Sequence, residues 1–385
     1  MIKHAFTFSL LAVAAFAAAA PAPAPDRGRS VLELPPVPGN PRNSEGAFLA
    51  TRDGGLVFIY SHFLGASSAD HAKARLAARR SSDGGVTWGA DEFIDTPGER
   101  EALNVMSVSL VRLGNGDAGM FYLLRHSWRD MRLWLRRSAD DGRTWGEPVC
   151  VMPVAGYYVV NNDRAVRLAS GRLVVPAALH RNIAAPDAAS SVDWRGVAEF
   201  FLSDDDGRTW RRAPGYCTLP SPHTRSGLQE PGVIELAPGQ LWGWARTDLG
   251  RQYEFFSRDG GETWSVPEPS RFTSPNSPLS MKHVPGTDRV LAVWNPGAAY
   301  ETRAQGRVGG DRTPLVFALG KGPTGAWTRA TVLDGDDPAV DAGFCYTAIH
   351  FTPDAVLLAY CAGGTADRSR LARLRIRRVP LSALR

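Results

Sequence analysis

Six short stretches of this 385-residue chain set polar or ionisable residues at the leading end of an apolar run. They are RNSEG (42–46), ALNVMS (102–107), YVVNND (158–163), GLQEPG (227–232), SPNSPLS (274–280) and GFCYT (343–347). The matching trailing ends carry His62, Arg125 with His126, His180 with Arg181, Arg246, and Asn295. Carboxylates, guanidinium groups, imidazoles and a phenol that converge can grip a polar ligand, neutralise an acidic group and move protons. One such residue is a solvated loop; recurrence at matching places points to a common site. On this ground Glu45, His62, Arg125, His126, Asn162, Asp163 and His180 are candidate ligand-binding residues. Tyr346, among small and sulfur-bearing neighbours, is either core packing or aimed at that site.

The elements that carry these residues repeat. FLATRDGGLVFIYSH, LVRLGNGDAGMFYLLRH, AVRLASGRLVVPAALHR, VIELAPGQLWGWARTD, HVPGTDRVLAVWNP and IHFTPDAVLLAYC each read strand, turn, strand, with Gly, Pro, Asn or Asp at the turn. No long amphipathic helical stretch interrupts them. Four further segments fit Ser-x-Asp-x-Gly-x-Thr-Trp: SSDGGVTW (81–88), SADDGRTW (138–145), SDDDGRTW (203–210) and SRDGGETW (257–264), and GKGPTGAW, ending at Trp327, is a worn fifth. Their aspartates can accept amide hydrogen bonds in a tight turn, with glycine supplying positive φ and tryptophan packing under the turn. One carboxylate per turn is too few ligands for calcium, so these are structural staples. Six hairpins and about five staples predict an all-β fold: a six-bladed β-propeller of four-stranded antiparallel blades, as one domain over 25–385.

Residues 1–24 differ in kind: Lys3 without an acid, an apolar run, then A-x-A sites near Ala20 to Ala24 predict a signal peptide. Export to a periplasm or beyond follows, without membrane insertion. The net charge of +5 is spread along the chain, which argues against nucleic acid and leaves attraction for acidic substrates. Cys150, Cys217, Cys345 and Cys361 lack CxxC spacing, so neither a metal nor another cofactor is expected. Cys345 and Cys361 flank one hairpin and could face each other.

The Asp-box staples on a six-unit array resemble the sialidase (neuraminidase) family over essentially the whole mature chain. The resemblance implies an exo-acting glycoside hydrolase that removes a terminal sialic acid or related acidic sugar from a glycan; a monomer is expected. QEPGVIELAPGQLWGWAR is similar to the family's hairpin that opens on a glutamate and ends on an arginine, which gives Glu230 and Arg246. NPGAAYETRAQGRVGGDRTPLVFAL points to Arg312 as a second arginine, ahead of Arg303 and Arg307. GFCYTAI puts Tyr346 at the family's nucleophile, and SHFLGASSADHAK offers Asp70 as the acid. The implied chemistry is a tyrosine attacking where a carboxylate would be repelled by the substrate's own carboxylate. A phenol titrates near 10, so Glu230 is the implied base, with Arg246 and Arg312 on the substrate carboxylate.

The pattern breaks at the first hairpin. The family opens it with a third arginine, where SEGAFLATRDGGLVF has Glu45, an acid that repels a carboxylate unless protonated or paired to a neighbour such as Arg42. Two other functions stay open at this point. A uronate lyase would draw on His62, His126, Tyr157 or Tyr158, and Arg164, and a non-catalytic carbohydrate-binding propeller would need no base at all.

Overall fold

The computed structural model describes residues 26–96, 98, 101–297, 308, 310–337 and 339–384. The proposed signal peptide and the candidates Arg303 and Arg307 lie outside the described residues. The architecture is all-β, with only short 3-10 turns beside the strands among those residues.

Largely apolar runs, broken by turns rich in Gly, Pro and Asp, form hairpins whose neighbours add outward into four-stranded antiparallel sheets. Blade 1 comprises Asn43–Ala50, Leu56–Phe63, Ala74–Ser81 and Glu92–Ile94. Blade 2 comprises Asn104–Arg112, Ala118–Arg125, Met131–Ser138 and Val149–Cys150. In blade 3 the inner strand is split into Tyr157–Val159 and Val166–Arg167, followed by Leu173–His180, Val197–Ser203 and Arg211–Cys217. One parallel bridge, Tyr157 to Met131, links the strands of blades 2 and 3. Blade 4 comprises Gln229–Ala237, Gln240–Arg246, Arg251–Ser257 and Glu268–Thr273; blade 5 comprises Ser280–His283, Val290–Trp294, Leu315–Gly320 and Thr331–Asp334. Blade 6 has Cys345–Phe351, Ala355–Cys361 and Leu374–Pro380, and its outer strand is Arg29–Leu34, from the other end of the chain.

The core lies between blades. One apolar cluster joins blades 1 and 2, another 2 and 3, and so on round to blade 6. The sixth packs Phe48, Phe58 and Tyr60 of blade 1 against Ala348, Leu357 and Ile376 of blade 6, which closes the ring.

The Asp-box turns form as their chemistry predicts. Asp140 accepts from the Arg143 and Thr144 amides at 3.1 and 2.8 Å and from the Thr144 hydroxyl at 2.6 Å. Asp83, Asp205 and Asp259 repeat this set. The tryptophans reach farther than expected. Trp88, Trp145, Trp210 and Trp264 each pack into the cluster shared with the preceding blade. Trp327, in the copy without an aspartate, does the same between blades 4 and 5, and its indole donates to the Gly322 carbonyl at 2.9 Å. Gly207, at φ 82°, shows why the box glycine is required: a Cβ there would stand 2.5 Å from Leu135 of blade 2. The staples therefore fasten neighbouring blades as well as their own turns.

Candidate functional site

Five of the six inner strands break regularity at the same level. Glu45, Ser107, Asp163, Glu230 and Tyr346 all adopt positive φ, between 47° and 61°. In blades 1, 2, 4 and 6 the residue sits at a register shift against the second strand, as a β-bulge requires. In blade 3 it lies in the gap between the two halves of the inner strand. A left-handed residue other than glycine or asparagine is strained, and such strain collects where a side chain must be re-aimed. Four of these five side chains line one cavity of about 530 Å³ in the middle of the ring; Asp163 does not.

Tyr346 Oη donates to Glu230 Oε1 at 3.1 Å. Arg246 Nη1 reaches both oxygens of Glu230 at 2.9 Å, and its other nitrogens bond Gln229 Oε1 at 2.6 and 3.2 Å. The Arg312 guanidinium carbon lies 5.4 Å from the Tyr346 ring centre, and Arg312 is 7% exposed without a carboxylate partner among the described residues. Burial, then the Glu230 carboxylate, pushes the Tyr346 phenol well above its ordinary value, against the opposing pull of Arg312 and Arg246. The phenol is thus half-buried, neutral and bonded to an acceptor.

On the other side of the cavity, Arg42 is fully buried. It bonds Glu45 Oε1 at 2.7 Å and Ser44 Oγ at 2.9 Å, and pairs with Asp70. Glu45 Oε2 accepts the Ser107 hydroxyl at 2.8 Å. Burial raises the Glu45 carboxyl to about 7, with Arg42 and Ser107 holding it down only in part. Asp70 stands at the cavity mouth with its side chain 61% exposed. Partial desolvation raises it, yet the Arg42 charge and hydrogen bond outweigh this and leave it below the ordinary carboxylate range.

Arg125 and His180 also line the cavity. His180 is 2% exposed, its Nδ1 lies 3.3 Å from the Asp193 carbonyl, and burial lowers it to about 4, so it is a neutral wall.

Four expectations are corrected. His62 does not reach the cavity; it packs edge-on against Phe93, ring centres 5.1 Å apart, on the outer part of blade 1. His62 is the penultimate residue of Leu56–Phe63, and period-two alternation turns its side chain onto the outer strand instead of the cavity. His126 is also outside, in the turn that its amide closes onto the Asp130 carbonyl at 2.8 Å. Asn162 is a buried central strut: its side-chain amide donates to the Gly46 and Tyr346 carbonyls at 2.7 and 3.2 Å. Asp163 pairs with Lys282 at 2.7 Å and accepts the Ile349 amide at 3.0 Å, which ties blades 3, 5 and 6 below the cavity. Of the residues a lyase would use, only Tyr157 lines the cavity; Tyr158 packs on Phe201, and Arg164 holds the Leu279 carbonyl. Cys345 and Cys361 face each other in register as free thiols.

Sequence reading missed Ser107, Gln229, Trp128, Trp194 and Arg370, all of which line the cavity. Ser107 and Gln229 were findable, since each belongs to a leading stretch already singled out. The others come from loops whose sequence carries no periodic signal. Among the described residues no group of three or more His, Cys, Asp or Glu comes together as a metal site.

The chain is similar to known proteins. Residues 110–358 match the BNR repeat-like domain. A sialidase of Bacteroides fragilis is 24% identical over 274 residues, covering 63% of this chain and 47% of that protein. Human sialidase-4 is 27% identical over 318 residues, covering 66% of this chain and 64% of that protein. The chain thus spans about half to just under two thirds of these relatives' lengths. Among solved structures, the microbial sialidase Hz136 superposes with a TM-score of 0.68 at 19% identity, over 90% of this chain and 67% of that one. The intramolecular trans-sialidase of Ruminococcus gnavus gives 0.67 at 16%, over 93% and 98%. At such identities the likeness speaks for the fold.

Proposed function

This chain belongs to the BNR repeat-like, sialidase family, and from that premise we propose that it is an exported, monomeric glycoside hydrolase. It removes a terminal sialic acid or related acidic sugar from a glycan. Export rests on residues 1–24; no helix among the described residues is long and apolar enough to cross a membrane.

One observation carries the proposal: the 3.1 Å hydrogen bond from Tyr346 Oη to Glu230, with Arg246 and Arg312 beside it in one cavity. A phenol raised above its ordinary value is not a free phenolate, so attack on the anomeric carbon is coupled to proton transfer onto Glu230. The oxygen–carbon bond to Tyr346 forms as the glycosidic bond breaks, and the departing oxygen takes a proton from Asp70. Water, deprotonated by Asp70, then attacks the anomeric carbon, and Glu230 returns its proton to the Tyr346 oxygen. Two displacements at one carbon retain its configuration. Arg246 and Arg312 hold the sugar carboxylate through charge-assisted bonds. Because Arg42 favours the ionised form of Asp70, the donor form is lost at lower pH than for an ordinary carboxyl, and the alkaline fall in rate is shifted toward acid.

Tyr346→Phe and Glu230→Gln should each lower turnover of an acidic-sugar glycoside roughly a hundredfold or more without a change in melting temperature. Release of the free sugar by wild type, read by mass spectrometry, is the assay. Variant rates near those of wild type would refute the assignment.

A further inference from the structure

Two guanidinium groups that line the cavity are buried without a carboxylate, and only Arg312 has a part in the reaction above. Arg125 ends the second strand of blade 2 and is 4% exposed. Among the described residues its one hydrogen-bond partner is the Met131 sulfur, 3.3 Å from Nε, and it makes no ion pair. A thioether is a weak, uncharged acceptor, and the terminal nitrogens are left with no hydrogen-bond partner beside the cavity Arg125 lines. Arginine cannot escape burial by shedding its proton, so an unpaired buried guanidinium is costly until an anion arrives.

Its surroundings are built rather than incidental. Trp128 and Tyr157 stack at 5.6 Å and 18°, and the Arg125 guanidinium carbon lies 5.1 and 5.3 Å from their ring centres. Trp194 stands edge-on to both rings and is 43% exposed, giving the same wall an open apolar face. Aromatic faces hold the guanidinium in one orientation and offer a sugar ring something to lie against. Blade 2 stands three places round the ring from blade 5, ahead of whose third strand Arg312 lies. The two cations therefore address opposite sides of the cavity. His71, next to Asp70, has its ring centre 6.2 Å from that of Trp128, and both Asp70 and Trp128 line the cavity, which puts Arg125 on the side where the leaving oxygen departs.

We propose that Arg125, framed by Trp128 and Trp194, is a second anion subsite. The saccharide this protein takes accordingly bears an acidic group on the sugar next to the scissile bond as well as on the sugar released. The inference rests on the hydrolase reading for which sugar is which, and on the cavity alone for the subsite.

Three glycosides of one acidic sugar test it, joined to a neutral hexose, to the same hexose as its sulfate ester, and to the corresponding uronic acid. Wild type is expected to favour the sulfated or the uronic leaving sugar roughly tenfold over the neutral one in kcat/KM, mostly through KM. Whichever wins identifies the anion. Arg125→Met should bring that ratio close to one, and Arg125→Lys should keep part of it. Melting temperatures show whether each variant is folded. No preference in wild type, or a ratio that survives Arg125→Met in a folded protein, overturns the subsite. Calorimetry with the free sulfated hexose and the free uronic acid separates the two readings. Arg125-dependent binding without any turnover removes the hydrolase and keeps the subsite, whereas turnover without preference does the reverse.

Discussion

By resemblance, Glu45 stands where the family's first hairpin would carry an arginine, and its surroundings show how an acid is kept there. Arg42 underneath and the Ser107 hydroxyl beside it satisfy both oxygens, while burial lifts the carboxyl to about 7. The folded protein thus favours the protonated form more than an unfolded chain does. The stabilisation is complete below the ordinary glutamate range and is lost as pH climbs through about 7. The same ionisation adds a negative charge to the cavity. Affinity for a carboxylated sugar should therefore fall as pH rises across this range, and Glu45→Gln should flatten the fall. Calorimetric titration of wild type and variant between acid and mildly alkaline pH decides it; an unchanged slope in Glu45→Gln removes Glu45 as its cause. At this scale the sequence was readable where a residue type met a motif. Glu230, Arg246, Arg312 and Tyr346 were found that way and do meet in the cavity, with Asp70 at its mouth. His62 and His126 were misplaced because the trailing end of a strand carries no mark of which way its last side chain turns.

At the scale of the element, hairpins and staples were the legible part, since alternating apolar runs and Asp-Gly turns encode them locally. The bulges were not. Nothing in RNSEG or GLQEPG announces positive φ at a glutamate, because that conformation is imposed by the packed neighbours on either side. The reach of the staples was half legible, the turn being local and the tryptophan's contact with the preceding blade not. Asp205→Ala deletes one carboxylate that accepts from Arg208, Thr209 and Ser203. It should lower the melting temperature by roughly 1–3 °C, the scale of a partly exposed hydrogen-bonded turn in a chain this long. Turnover below the transition should stay as in wild type. A large loss of activity at unchanged melting temperature would mean that the box acts on the site and not on the scaffold.

For the molecule as a whole, closure depends on Arg29–Leu34 crossing to the far end of the chain to complete blade 6. Register pairs run from Arg29 with Arg378 to Leu34 with Leu374, and Glu33 bonds Arg375 at 2.5 Å and lies 3.5 Å from Arg373. Removing residues 26–34 strips the outer strand from a blade that also carries Tyr346, and leaves an open sheet edge. We expect a fall in melting temperature several times that of Asp205→Ala, together with aggregation on heating, read by calorimetry and light scattering. A truncated protein that melts like the full chain would show that blade 6 holds without it. That this strand belongs to the last blade was beyond sequence reading, for RSVLEL says strand but not whose.

The recurring left-handed residue has a consequence for how such a protein changes its chemistry. Five of the six blades offer the hub one socket of the same shape, and what is plugged into it here is in turn a glutamate, a serine, an aspartate, a glutamate and a tyrosine. Swapping one plug re-tools the machine without re-forging the wheel.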